Sequence, residues 1–137
     1  MTTDEVLNKY KKIAVLGFST NPSRPSNNIT IFMKQVGYTV YGVNPGLAGR
    51  EVESVKCYAS LTEVPDEVEI VNVFRNAMYL PEIVDEILAL PYKPKVIWTQ
   101  LDVINDEARE RAIAAGIEYI EDKCIYVEYK LNPNVKK

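Results

Sequence analysis

The chain has 137 residues with a net charge of -3; 47% of it is apolar and 26% charged, which fits a single globular domain that needs no metal or disulfide staple. The net negative charge argues against a duplex nucleic acid partner. The complete lack of histidine removes Ser-His and Cys-His nucleophile pairs and histidine acid–base chemistry.

Two cysteines, Cys57 and Cys124, make no disulfide framework and cannot close a four-ligand zinc site, so no metal is expected. No apolar run approaches the ~18 residues that would span a bilayer. The first twelve residues lack the apolar centre of a signal peptide. A cytoplasmic protein without a membrane partner is therefore expected, as one domain over 1–137 with a helical arm at 1–11 and a tail at 125–137.

In chain order, Thr2-Thr3-Asp4-Glu5 reads as a capping box opening a short arm helix that runs to about Tyr10. Lys12 to Gly17 is an apolar run ending in glycine, the pattern of a strand buried on both faces. Phe18 to Pro25 is a loop, and Ser26 stands at an N-cap position before Ile29, Phe32, Met33 and Val36 at helical spacing. Gly37 ends that helix. Thr39 to Val43 is a second strand, closed by Asn44-Pro45-Gly46. Leu47 to Ser60 is irregular, with an edge strand expected near Glu51 to Tyr58.

Glu69 to Phe74 is a third clear strand. Pro81 suits the first turn of a helix whose Ile83, Val84, Ile87 and Leu88 share one face. Lys95 to Trp98 is the next strand. Asn105 caps a helix with Asp106 and Glu107 in its first turn and Gly116 beyond its end. Ile117 to Ile120 is the last strand, followed by a tail containing Tyr126 and Tyr129. Those tyrosines, with Tyr119, suit either the cover of a sheet edge or a contact between two copies in a homodimer.

Strands alternating with helices predict a Rossmann-like, doubly wound α/β fold: a parallel sheet of about five strands with helices on both faces. In such sheets ligands bind outside the carboxyl ends of the strands. The first of those ends departs from the dinucleotide fingerprint G-x-G-x-x-G. It reads Gly17-Phe18-Ser19-Thr20-Asn21-Pro22, with only the first glycine. Asn44 stands where an NAD site places an acidic residue. Both points weigh against a nicotinamide enzyme. What remains is a glycine turn, a loop and a helix start bearing Arg24-Pro25-Ser26. Free amides, a helix dipole, a hydroxyl and a guanidinium fork can together hold a phosphate. The alternative is that Ser26 only caps and Arg24 only lies in solvent.

Gly17-Phe18-Ser19, Pro22-x-Arg24-Pro25-Ser26 and Gly37-Tyr38-x-Val40-x-x-Val43-Asn44-Pro45 together resemble the small CoA-binding protein family. The resemblance continues through Tyr58-Ala59-Ser60-Leu61, Ile70 to Arg75, Trp98-x-Gln100 and Asp122-Lys123-Cys124. It covers about Lys12 to Cys124, and the same fold is similar to the CoA-binding domain of succinyl-CoA synthetase α subunits. The resemblance implies coenzyme A as ligand, with the Gly17–Ser26 turn on its pyrophosphate. Asn44-Pro45 and Val73-Phe74-Arg75 would wall the nucleotide and pantetheine groove. Gln100 could line that groove, and Cys124 either faces the thiol or is a small buried hydrophobe. Arg50 and Lys56 either answer the ribose phosphate of CoA or are surface charges. Two positions depart from the family pattern: Asp102 stands where glycine is usual, and Ile125 follows Cys124 where proline is usual.

No complete catalytic apparatus is visible. The reading is a binding module that carries, senses or sequesters CoA or an acyl-CoA. An accessory component of an acyl-CoA transferase or ligase, and a regulator binding NAD or an adenine nucleotide, are the alternatives.

Overall fold

A computed structural model describes residues 1–137. Its centre is the strand β1 (Lys12–Leu16), flanked by β2 (Thr39–Val43) on one side and β5 (Ile70–Val73) on the other. Beyond β2 lie β4 (Val55–Tyr58) and β3 (Glu51–Val52); beyond β5 lie β6 (Val96–Thr99) and β7 (Glu118–Ile120). The sheet thus has seven strands in the order β3-β4-β2-β1-β5-β6-β7, with only β3 antiparallel to its neighbour. The count exceeds the expected five or so because the segment near Glu51 to Tyr58, expected to hold a single edge strand, folds as a hairpin of two. The last strand of that hairpin returns parallel to β2 without an intervening α-helix.

Helices α1 (Thr3–Lys9), α2 (Pro25–Gln35) and α5 (Ile125–Leu131) cover one face, and α3 (Leu80–Leu88) and α4 (Asp106–Ala114) the other. The period-two alternation of β1 sorts its side chains between the two cores. Ile13 and Val15 join Leu7, Met33, Trp98 and Ile125 on one side. Ala14 and Leu16 join Leu80, Val84, Ile97 and Ala108 on the other. Both faces of the central strands are buried, which accounts for their continuous apolar runs.

Three helices differ from expectation. α2 begins at Pro25, with Arg24 at the N-cap and no side-chain cap bond, so Ser26 lies inside the first turn instead of capping it. Proline at the first position sets the helical dihedral and has no N–H to leave unpaired. In α3 the buried stripe is Leu80, Ile83, Val84 and Ile87, whereas Leu88 at the C-terminus is exposed. The tail is helical: α5 packs Tyr126 and Tyr129 edge-on against Phe32, at ring separations of 4.8 and 5.7 Å, and Tyr129 also meets Tyr38 at 6.0 Å. These tyrosines therefore cover α2 within the same chain. The arm has the expected capping box, Thr2 with Glu5. It is tied down by Tyr38 Oη donating to Leu7 O at 2.7 Å and by Asn8 bonding both Asn134 and Lys136 of the tail.

Two tests follow from this packing. An ideal Cβ on Gly42 would lie 2.6 Å from Phe18 Cδ2 and 3.0 Å from Cys57 Sγ. Gly42→Ala is expected to destabilise the fold by about 1–3 kcal/mol through overpacking, read as a lower urea midpoint. Burial pushes the Tyr38, Tyr41 and Tyr119 phenols up from 10.0 to about 12. Their protonated forms are thus favoured by the folded state. That stability is complete below pH ~10 and is lost between ~10 and ~12, as the unfolded chain releases these protons first. Denaturant midpoints should fall across that window, and less steeply in Tyr38→Phe.

Candidate ligand-binding site at the carboxyl edge of the sheet

From β1 the chain moves outward through β2 to β4, then returns to the opposite side of β1 as β5. The carboxyl ends of β1 and β5 are therefore the topological switch point, where connections leave in opposite directions and a crevice opens. A cavity of about 460 Å³ lies there, lined by Gly17, Phe18, Ser19, Thr20, Arg24, Pro25, Ser26, Asn44, Leu47 and Phe74. A second of about 450 Å³ adjoins it, lined by Phe74, Arg75, Asn76, Ala77, Gln100, Leu101, Asp102 and Val103. Phe74 belongs to both walls.

Gly17 makes the first cavity. Its φ is +86°, in the left-handed region that a side chain disfavours. A Cβ there would come within 2.8 Å of Phe74 O and 3.1 Å of Arg75 Cδ. The turn thus lets the loop after β1 pass directly against the loop after β5. Phe18 then turns its ring inward: it is fully buried, against Gly42 and Cys57. Its side chain is withdrawn from the cavity, so only its backbone can face a ligand.

The loop from Ser19 to Arg24 is braced by its own polar groups. Asn21 N–H donates to Ser19 Oγ at 3.0 Å, Ser23 N–H to Asn21 Oδ1 at 3.0 Å, and Arg24 N–H to Asn21 O at 3.0 Å. Asn27, buried in the first turn of α2, donates from Nδ2 to Ser19 O at 2.8 Å. These bonds leave the amides of Phe18, Ser19, Thr20 and Ser26 without an intramolecular acceptor. The Ser26 side chain makes no hydrogen bond, and the exposed Arg24 guanidinium has neither an ion pair nor a hydrogen bond. No acidic residue occupies the first turn of α2, whereas α1 and α4 both carry two. Unpaired amides at a positive helix end beside a free guanidinium suit an anion with several oxygens, such as a pyrophosphate.

Asn44 serves the wall of the cavity. Its Oδ1 accepts from Gly46 N–H at 3.0 Å and its Nδ2 donates to Phe18 O at 3.0 Å, fixing the turn Pro45–Leu47 against the first loop. Pro45 opens that turn and lines neither cavity. Thr20 and Leu47 line the first one and were not singled out from the sequence. Arg50 and Lys56 are exposed and line neither.

Arg75 lies across the second cavity with its guanidinium 4.5 Å from the centre of the Tyr79 ring. Gln100 is buried and its amide is engaged at both ends: Nε2 donates to Asn72 Oδ1 at 2.6 Å, and Oε1 accepts from Ile125 N–H at 3.3 Å. Cys124 is half-buried, is the N-cap residue of α5 and lines neither cavity. These bonds give the two family departures a physical account. Ile125 is the first residue of α5, a position where proline is at home because its missing N–H is one the helix cannot pair. Here the N–H is present and Gln100 accepts it. Asp102 has φ +66°, the conformation glycine adopts freely and aspartate better than most. Its N–H is held by Asp122 Oδ1 at 2.7 Å.

The sheet order and the crevice at its switch point define a Rossmann-like protein with an open, amide-lined pocket. The chain belongs to the CoA binding domain family, which matches residues 11–130. It is similar to the Bacillus subtilis protein YneT, 36% identical over 125 residues that make up 91% of this chain and 90% of YneT. It is also similar to a segment of an ADP-forming acetate–CoA ligase II from Archaeoglobus fulgidus, 34% identical over 89 residues. That match covers 64% of this chain and 13% of the ligase. Among solved structures, a Thermus thermophilus protein superposes with a TM-score of 0.87 at 34% identity, over 95% of this chain and 98% of that one.

The pairing at α5 can be measured. Gln100→Leu should cost about 1–3 kcal/mol by stranding Asn72 and the Ile125 N–H. In an Ile125→Pro background, which has no such N–H, the cost should shrink by at least ~0.5 kcal/mol in a double-mutant cycle of urea unfolding. Cys124, at φ -82° and ψ 117°, already has the extended backbone required before proline. Additive losses would sever the link between Gln100 and α5.

Proposed function

We propose that this protein binds coenzyme A, free or acylated, at the carboxyl edge of its sheet, as a carrier, sensor or regulatory module with no complete active site of its own. One observation carries the reading: four unpaired amides, the free Ser26 hydroxyl and the unpaired Arg24 guanidinium border a single cavity at the switch point. A pyrophosphate would use all of them. Membership of the CoA binding domain family supports CoA as the bearer of that pyrophosphate. The pantetheine arm would cross Phe74 into the second cavity. Because the amides belong to the backbone, recognition would survive most substitutions in the loop and depend chiefly on Gly17 and on Arg24.

The likeness to a segment of an acetate–CoA ligase favours one second reading, that the protein acts as the CoA-holding component of a larger acyl-CoA enzyme. Copurification with a partner subunit that turns over an acyl-CoA would support this version.

Arg24→Ala should weaken CoA binding by roughly ten- to a hundredfold, the scale of one charge-assisted contact, in a calorimetric titration. Arg24 is exposed, so its loss should leave stability nearly unchanged. An unaltered affinity would remove Arg24 from the site. Native mass spectrometry of the purified chain would show whether a ligand of CoA mass accompanies it and whether Cys124 is joined to it.

A further inference from the structure

The loops that follow β5 and β6 carry an unusual set of side chains. Strands β5 and β6 end side by side, Val73 opposite Thr99, so their loops emerge as neighbours. Met78 is 70% exposed, Leu101 61% and Ile104 48%, with Tyr79 also exposed. Four of the ten large apolar side chains that the chain leaves in water thus fall on two adjacent loops at one edge of the sheet. Both loops wall the second cavity, through Ala77 on one side and Leu101 and Val103 on the other. Exposed apolar groups gathered beside a pocket mark a place where apolar matter is received.

We infer that this patch receives the acyl chain of a neutral aliphatic acyl-CoA, so that the preferred ligand is an acylated rather than a free coenzyme. The inference rests on the CoA reading above, because only a pantetheine arm leading from the first cavity would deliver a thioester to this place. Continuity is supplied by Phe74, which walls both cavities. Arg75 and Asp102 both line the second cavity, so opposite charges stand there together and neither favours a charged acyl terminus. A hydrocarbon chain meets Ala77, Leu101 and Val103 in the cavity and continues to Met78 and Ile104 on the same two loops.

Full burial is worth about fourfold in affinity per methylene, and a shallow open patch about half of that free energy, or roughly twofold. Calorimetric titration of the full chain with CoA, acetyl-CoA, butyryl-CoA, hexanoyl-CoA and succinyl-CoA tests this. Hexanoyl-CoA should bind at least about tenfold more tightly than acetyl-CoA, with butyryl-CoA between and succinyl-CoA no tighter than acetyl-CoA. In Leu101→Ser combined with Met78→Ser, two exposed positions, the hexanoyl-to-acetyl ratio should collapse towards one. A flat series in the native protein, a preference for succinyl-CoA, or a ratio that survives both substitutions would overturn the acyl assignment while leaving CoA binding intact. Failure to bind any of these ligands, free CoA included, would overturn the CoA reading and this inference together.

Discussion

The site depends on how closely two strand ends can approach. β1 is the one strand whose neighbours are reached by connections running in opposite directions, and at its end the backbone must turn without a side chain. Gly17 satisfies that demand with a φ of +86° and no Cβ against Phe74 O. Any other residue there would push the loops after β1 and β5 apart. The cavity, the exposed amides and the direction in which α2 points all follow from that single contact.

Around this contact the polar side chains mostly build rather than bind. Asn21, Asn27 and Asn44 hold the first loop in place, and Gln100 ties the end of β6 to Asn72 and to the start of α5. Asn44 and Gln100 each donate and accept at once, so one carboxamide bridges two segments of the chain. In the first cavity what is left unpaired is backbone N–H, the Thr20 and Ser26 hydroxyls and the Arg24 guanidinium. The division leaves a first cavity whose free groups all favour negative charge.

Much of this was legible in the residues because the long elements carry their own periodicity. The central strands β1, β5 and β6 read as short, largely apolar runs, and the caps Thr2 and Asn105 mark helix starts. The hairpin of β3 and β4 was blurred because strands of two and four residues are too short to show alternation. α5 was hidden because Tyr126 and Tyr129 favour strands by type, and it is packing on Phe32 that holds them in a helix. At the site, the turn at Gly17 and the grouping of amides, a hydroxyl and a guanidinium over Arg24–Ser26 could be read directly. The fates of Phe18, Asn44 and Gln100 could not. A phenyl ring or a carboxamide looks the same in sequence whether it meets a ligand or braces the chain, and only tertiary contacts distinguish the two.

The hairpin that replaces a helix after β2 also governs how the molecule meets its own kind. β3 is two residues long and ends in Glu53 and Ser54, both with positive φ, a tight reversal that twists the chain away at once. An open sheet margin normally offers a row of unpaired backbone groups on which another chain can template. Here that row is interrupted almost as soon as it begins, and Glu51, Glu53 and Lys56 place charge along what remains. The outer rim of the sheet is thereby guarded against edge-to-edge aggregation by brevity and charge, with no added cover.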